Sequence, residues 1–498
     1  MTQRLRQRVA VAGVLAFISS PVGAHSFGQT YALPVPVWMY IFGAAAALLL
    51  SFLLVGYFVT ARAIDPDKRG DEPPTTWTLR SPLGRWLIGI LRWLSAGALA
   101  LTIVAGFFGT QDSYRNINMT LFWVMFYLGF TYFTAVAGDL FSILNPFRFL
   151  VEAIERFAPG LFKGRVQYPA SASYWSSLAL YIAFIWIELF GRSNPFSLAA
   201  MLSAYTAINF FGCWLVGKTA WFERCEFLGV FLRLVSRIAP IAVNYRDQRT
   251  ISSLNFRPPF VALLQGEKIP VSLLLFILFM LSSTAFDGLK ETALWVGVFF
   301  KNLYQLVLIP LYGDASHIGY PTIKKLFLAY QTSALVISPL LYFFVYALFI
   351  LLAKFITRSK VSFSSMLLSF GYCLIPIAFV YNVTHYYTLL QIQGPEMLRL
   401  LSDPLGKDWN LFGTAGTPMN IVPNLAVVWH AQVFLIIAGH VVSVYLAHLQ
   451  ALKLFSDRRT AILSQLPMLL LMVGFTAFGL WILSLPLNSS PVRLAALT

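Results

Sequence analysis

Ten apolar runs, each long enough to cross a bilayer, limit what this chain can become. They fall at about 37–59, 86–108, 119–137, 172–190, 198–216, 270–286, 331–353, 366–385, 425–446 and 466–485. Roughly 20 residues of helix span the hydrocarbon. In lipid, every backbone N–H and C=O must be satisfied within the segment, which a lone strand cannot do. The expectation is an all-α, polytopic membrane helix bundle of about ten transmembrane helices. Charge agrees: only 11% of the 498 residues are charged, against about 25% in soluble domains.

An eleventh apolar run, Val9 to Ile18, is too short to cross. Arg4, Arg6 and Arg8 precede it, Ser19-Ser20-Pro21 break it, and Val22-Gly23-Ala24 puts small residues at a cleavage site. This is a signal-peptide pattern. It predicts residues 1–24 as a cleaved leader, 25–498 as a single polytopic membrane domain, and His25 as an outer amino terminus. The first span then runs inward. The five loops that become cytoplasmic hold 23 Lys and Arg, against nine in the outer segments. Basic residues concentrate on the cytoplasmic side of membrane proteins, so the two signals agree. The net charge of +16 therefore reads as topology and lipid attraction, not as a nucleic-acid surface. Arg92 lies inside the second span near its inner end, placed to snorkel.

Two further stretches read as interfacial. Residues 219–238 mix Arg224, Arg233 and Arg237 with apolar residues, as in an amphipathic helix on the cytoplasmic surface. Residues 293–312 are long enough to span, but crossing there would put Lys354, Arg358, Arg458 and Arg459 outside. They read as a re-entrant or surface segment of an outer loop. Cys213, Cys225 and Cys373 form no C-x-x-C pair, so neither a zinc ribbon nor a disulfide framework is expected.

The chain has no phosphate-binding loop, nucleophile elbow, zinc-protease helix or dinucleotide fingerprint. The candidates are therefore ionisable residues inside or beside the bilayer, where they are costly. His385, His430, Glu188 and Asp287 should share one depth, at the outer ends of the eighth, ninth, fourth and sixth spans. His385, Glu188 and Asp287 are the candidate catalytic set. Asp112, Asp314, His317 and Asp403 adjoin them in outer loops. A terminal His25 offers an α-amine and a ring nitrogen, and with His385 and His430 it makes a candidate site for a divalent metal, zinc or copper. His440 lies deeper on the ninth span, where a haem between two helices would need a second histidine at its level. Asp139 faces inward, to pair with Arg148 or anchor the turn at Asn145-Pro146.

The segments "ALPVPVWMYIFGAAAALLLSFLLVGYF", "FFGTQDSYRNINMTLFW", "GDLFSILNPFRFL", "THYYTLLQIQGPEMLRLLSDPLGKDWNLFGTA" and "GHVVSVYLAHLQAL" resemble, in order, a family of bacterial integral-membrane proteins known as fenitrothion hydrolases. The likeness covers most of the mature chain and carries no catalytic residue with it. It implies a bacterial inner-membrane hydrolase that cleaves the phosphorus–aryloxy bond of organophosphorus triesters. Such a neutral aromatic substrate concentrates in the bilayer and needs no cationic clamp. What it needs is an activated water, supplied by a general base or a metal. Three other readings stand beside this one: a small-solute transporter, a copper- or haem-linked redox protein, and a structural partner of a second membrane subunit.

Overall fold

The computed structural model describes residues 35–59, 76–77, 82–191, 194–247, 250–265, 268–312, 319–417 and 421–485. The leader, His25, Asp314 and His317 lie outside the described residues. Ten helices form the bundle: α1 (Val37–Phe58), α2 (Pro82–Phe108), α3 (Ile117–Ala137), α4 (Trp175–Phe190), α5 (Pro195–Val216), α6 (Val271–Lys290), α7 (Tyr320–Thr357), α8 (Ile375–Ser402), α9 (Leu425–Leu454) and α10 (Arg458–Ser484). The chain is an all-α, multi-pass membrane protein. Its outer surface carries exposed Leu, Phe and Trp side chains along α1, α2 and α7, the surface a bilayer covers.

Side-chain pairs give the central helices their directions. Gly439 of α9 abuts Val380 of α8, and Gln432 of α9 donates to the Thr384 carbonyl (2.8 Å), so these helices are antiparallel. Asp287 of α6 meets His385 of α8, while Leu274 meets Gly371 just before α8, so α6 and α8 are parallel. The innermost helix is α6, buried from Ser272 to Gly288.

Among the described residues an eleventh helix, Ala293–Leu311, is long and apolar enough to cross, but it returns to its starting face. Ser282 of α6 bonds Ser338 of α7 (2.8 Å), and Phe286 touches Trp295, which stacks on Tyr330. The helix α7 therefore runs antiparallel to α6 and starts where α6 ends. The segment between them is an arm, packed through Phe299 and Phe300 on Phe327 of α7.

Residues 219–238 are not a surface helix. Trp221 donates to Asn209 (2.8 Å), and Glu226 takes the Tyr205 hydroxyl, about 16 Å of helix rise inward from Val216. The chain then turns back as Phe227–Ser236, and Arg237 covers the Tyr372 ring at 4.3 Å. This is a re-entrant hairpin with Glu226 at its apex. Phe227, Leu228, Val230, Phe231, Leu232, Leu234 and Val235 are all buried, and a helix apolar all round belongs in a core. Gly212 makes room for it: a Cβ there would lie 2.3 Å from the Trp221 ring.

Two smaller expectations also change. Arg92 does not snorkel: its guanidinium is buried against Glu152 at 2.6 Å and over Phe149 at 5.0 Å. Asp139 does not pair with Arg148. It accepts from the Ser142 amide and hydroxyl, while Arg148 donates to the Ser142 carbonyl and faces Glu152. The turn at Asn145-Pro146 is held by Asn145 itself, which caps the next helix. On this same basic face lies a three-stranded antiparallel sheet, β1 (Thr76–Trp77), β2 (Ile241–Asp247) and β3 (Thr250–Phe256), in the order β1-β3-β2. All three cysteines are buried free thiols.

Candidate functional site

The last turns of α4 and α6 and the middle of α8 bring Glu188, Asp287 and His385 to one level of the bundle. Asp287 is 1% exposed, and a charge so placed needs partners. It has three. His385 Nε2 is 2.8 Å from Oδ2, Tyr386 Oη donates to the same oxygen at 2.9 Å, and Lys290 Nζ is 3.3 Å from Oδ1. Lys290 reaches it because residues three apart share a helix face. Lys290 also pairs with Glu291. Gly288 lets the helices close up: a Cβ there would lie 2.8 Å from Ile482 and 3.9 Å from the His385 ring.

Glu188 joins through the phenol, with Tyr386 Oη 3.3 Å from its Oε1. A phenol has one proton to donate. The shorter contact goes to Asp287, so the Glu188 contact is the weaker of the two. Glu188 Oε2 is buried with no hydrogen-bond partner among the described residues. The His385 ring stands edge-on to Tyr386, with centroids 4.6 Å apart, and its side chain is 18% exposed. An ionised Asp287 only accepts, so the ring proton belongs on Nε2, facing it. This arrangement suits general-base chemistry: an imidazole oriented by a buried carboxylate, itself held by a cation and a phenol.

His430 shares this level but points elsewhere. Its Nδ1 lies 2.7 Å from the Ala426 carbonyl, and its ring stands edge-on to Tyr40. Among the described residues no three His, Cys, Asp or Glu side chains are grouped to hold a metal ion. His440 faces a cavity wall with tyrosines and no second histidine, and His448 bonds Gln465. Asp112 and Asp403 cap turns in the loops, accepting from the amides of Tyr114 and of Lys407 and Asp408.

The candidate catalytic set omitted Tyr386 and Lys290. Both had a signal: Tyr386 neighbours His385, and Lys290 follows Asp287 at helical spacing. A cavity of about 440 Å³ opens between the 293–312 arm and α7, lined by Phe299, Leu303, Leu326, Tyr330 and Ser333 among others. None of the site residues lines it. Trp295 stacks on Tyr330 of its wall and stands edge-on to Phe286, the neighbour of Asp287.

No known family model matches the chain, and neither the curated proteins nor the solved structures contain a significant match.

Proposed function

We propose that this protein is a membrane-embedded hydrolase of lipophilic organophosphorus aryl triesters, working at the outer face of a bacterial inner membrane with its mature amino terminus outside. The observation that carries the reading is the 2.8 Å contact between His385 Nε2 and Asp287. The substrate class rests on the resemblance to fenitrothion hydrolases, and the orientation on the excess of Lys and Arg in one set of loops.

His385 takes a proton from a water as that water's oxygen bonds to phosphorus. The phosphorus–aryloxy bond breaks, and the nitrophenolate, a weak base, leaves without acid help. Asp287 stabilises the imidazolium, which then gives its proton to solvent. A positioned base contributes about 10²- to 10⁴-fold. The test is nitrophenol release by membranes carrying the full chain. His385→Ala should lose turnover while inserting normally, and unchanged release in that variant would remove the proposed site.

A transporter is the second reading, favoured by the re-entrant hairpin, since interrupted helices meet at the sites of many transporters. It requires uptake of a neutral ester into proteoliposomes with no nitrophenol released.

A further inference from the structure

A second polar site lies within the bundle, one helical turn below His385. His440 of α9 is fully buried, and its Nδ1 is 2.8 Å from the Ile436 carbonyl. A carbonyl only accepts, so Nδ1 carries the proton and the neutral ring presents a bare lone pair at Nε2. Nε2 is buried with no partner among the described residues.

His440 lines a small space where five helices converge. Leu281 of α6, Tyr342 of α7, Tyr381 of α8 and Phe475 of α10 complete most of the wall. About 10 Å³ of it is open to a water's centre, near the minimum that admits one molecule. The close packing is built in. A Cβ on Gly439 would lie 2.4 Å from Val380, and one on Gly479 would lie 2.3 Å from the Tyr381 hydroxyl. The wall thus offers one acceptor that needs a donor, and two phenols that can donate or accept. An apolar guest would leave Nε2 unsatisfied, and a larger ligand does not fit.

We infer that this space binds a single water, which donates to His440 Nε2 and is held by the Tyr342 and Tyr381 hydroxyls. Tyr381 precedes His385 by four residues on α8, about 6 Å of rise, so the water extends the polar column below the outer site by one turn. The column ends at His440, whose other nitrogen is committed to its own backbone.

The test is nitrogen-15 NMR of histidine-labelled full chain in nanodiscs, with His440 assigned by the signal lost in His440→Gln. The expected result is a proton on Nδ1, an Nε2 resonance shifted upfield from the value of a free lone pair, and magnetisation transfer from water to the ring. Tyr342→Phe/Tyr381→Phe should lose both the shift and the transfer. An Nε2-protonated ring, an unshifted Nε2 without water transfer, or a double variant indistinguishable from wild type would each overturn the inference. The wild-type spectrum alone is decisive if the double variant does not fold.

Discussion

Asp287 is shared between His385 and Lys290, one on each carboxylate oxygen, at 2.8 and 3.3 Å. The carboxylate thus serves both the chemistry and the fold, and substitution can separate the two. Asp287→Ala should strip activity and also leave Lys290, 9% exposed, with Glu291 alone. Losing one partner of a buried pair costs about 3 kcal/mol or more. Asp287→Ala/Lys290→Met should recover most of the thermal stability in detergent and none of the turnover. If the double variant is no more stable than the single, Lys290 does not depend on Asp287.

The second buried pair ties α2 to the basic face. Arg92 and Glu152 meet at 2.6 Å with side chains 9% and 4% exposed. Glu152→Ala should destabilise the protein by about 3–5 kcal/mol, since it abandons a buried guanidinium, whereas Arg92→Met/Glu152→Leu should lie near wild type. Thermal unfolding of the three variants decides it. Equal losses in single and double variants would mean that packing, not charge, is what Glu152 supplies.

The bundle was legible in the sequence because lipid forces one solution on every long apolar run. The 219–238 segment was not, because three spaced arginines imitate an amphipathic face. In the structure Arg233 and Arg237 turn to main-chain carbonyls, of Glu223 and of Ala262 and Gln265, while the apolar residues of Phe227–Ser236 are buried. At the site, Glu188, Asp287 and His385 stood out because ionisable residues are scarce in apolar helices. Tyr386 did not, being one tyrosine among 22. The level of His430 followed from helix rise. Its direction did not, because rotation about the axis depends on which neighbours pack against it.

Glu226 should hold the re-entrant hairpin closed. It accepts from the Leu228 and Gly229 amides, from Asn145 Nδ2 at 3.1 Å, and from the Tyr205 hydroxyl. Glu226→Ala leaves these donors without their acceptor and should cost about 3 kcal/mol. The neighbouring Cys225 reports on it. That thiol is buried, so it should resist maleimide in the wild type and label readily in Glu226→Ala. Equal labelling in both would show that the apex is held by other contacts.

The start of α10 carries a pH-dependent cap. Asp457 accepts from the Thr460 amide and hydroxyl, each at 2.9 Å, and these bonds hold its carboxyl below the usual aspartate value. A group depressed in the folded state contributes stability above its unfolded pKa, about 3.9, and loses it as pH falls through the lower folded value. Asp457→Asn keeps an acceptor oxygen but cannot titrate, and it gives up the attraction between an anion and the helix amino end. Protection of the Thr460 amide against hydrogen exchange, taken as the ratio of wild type to Asp457→Asn, should exceed one at neutral pH and fall as the carboxyl protonates. Taking the ratio at each pH cancels the intrinsic dependence of exchange. A ratio flat across the acid range would mean that the Asp457 charge contributes nothing to the cap.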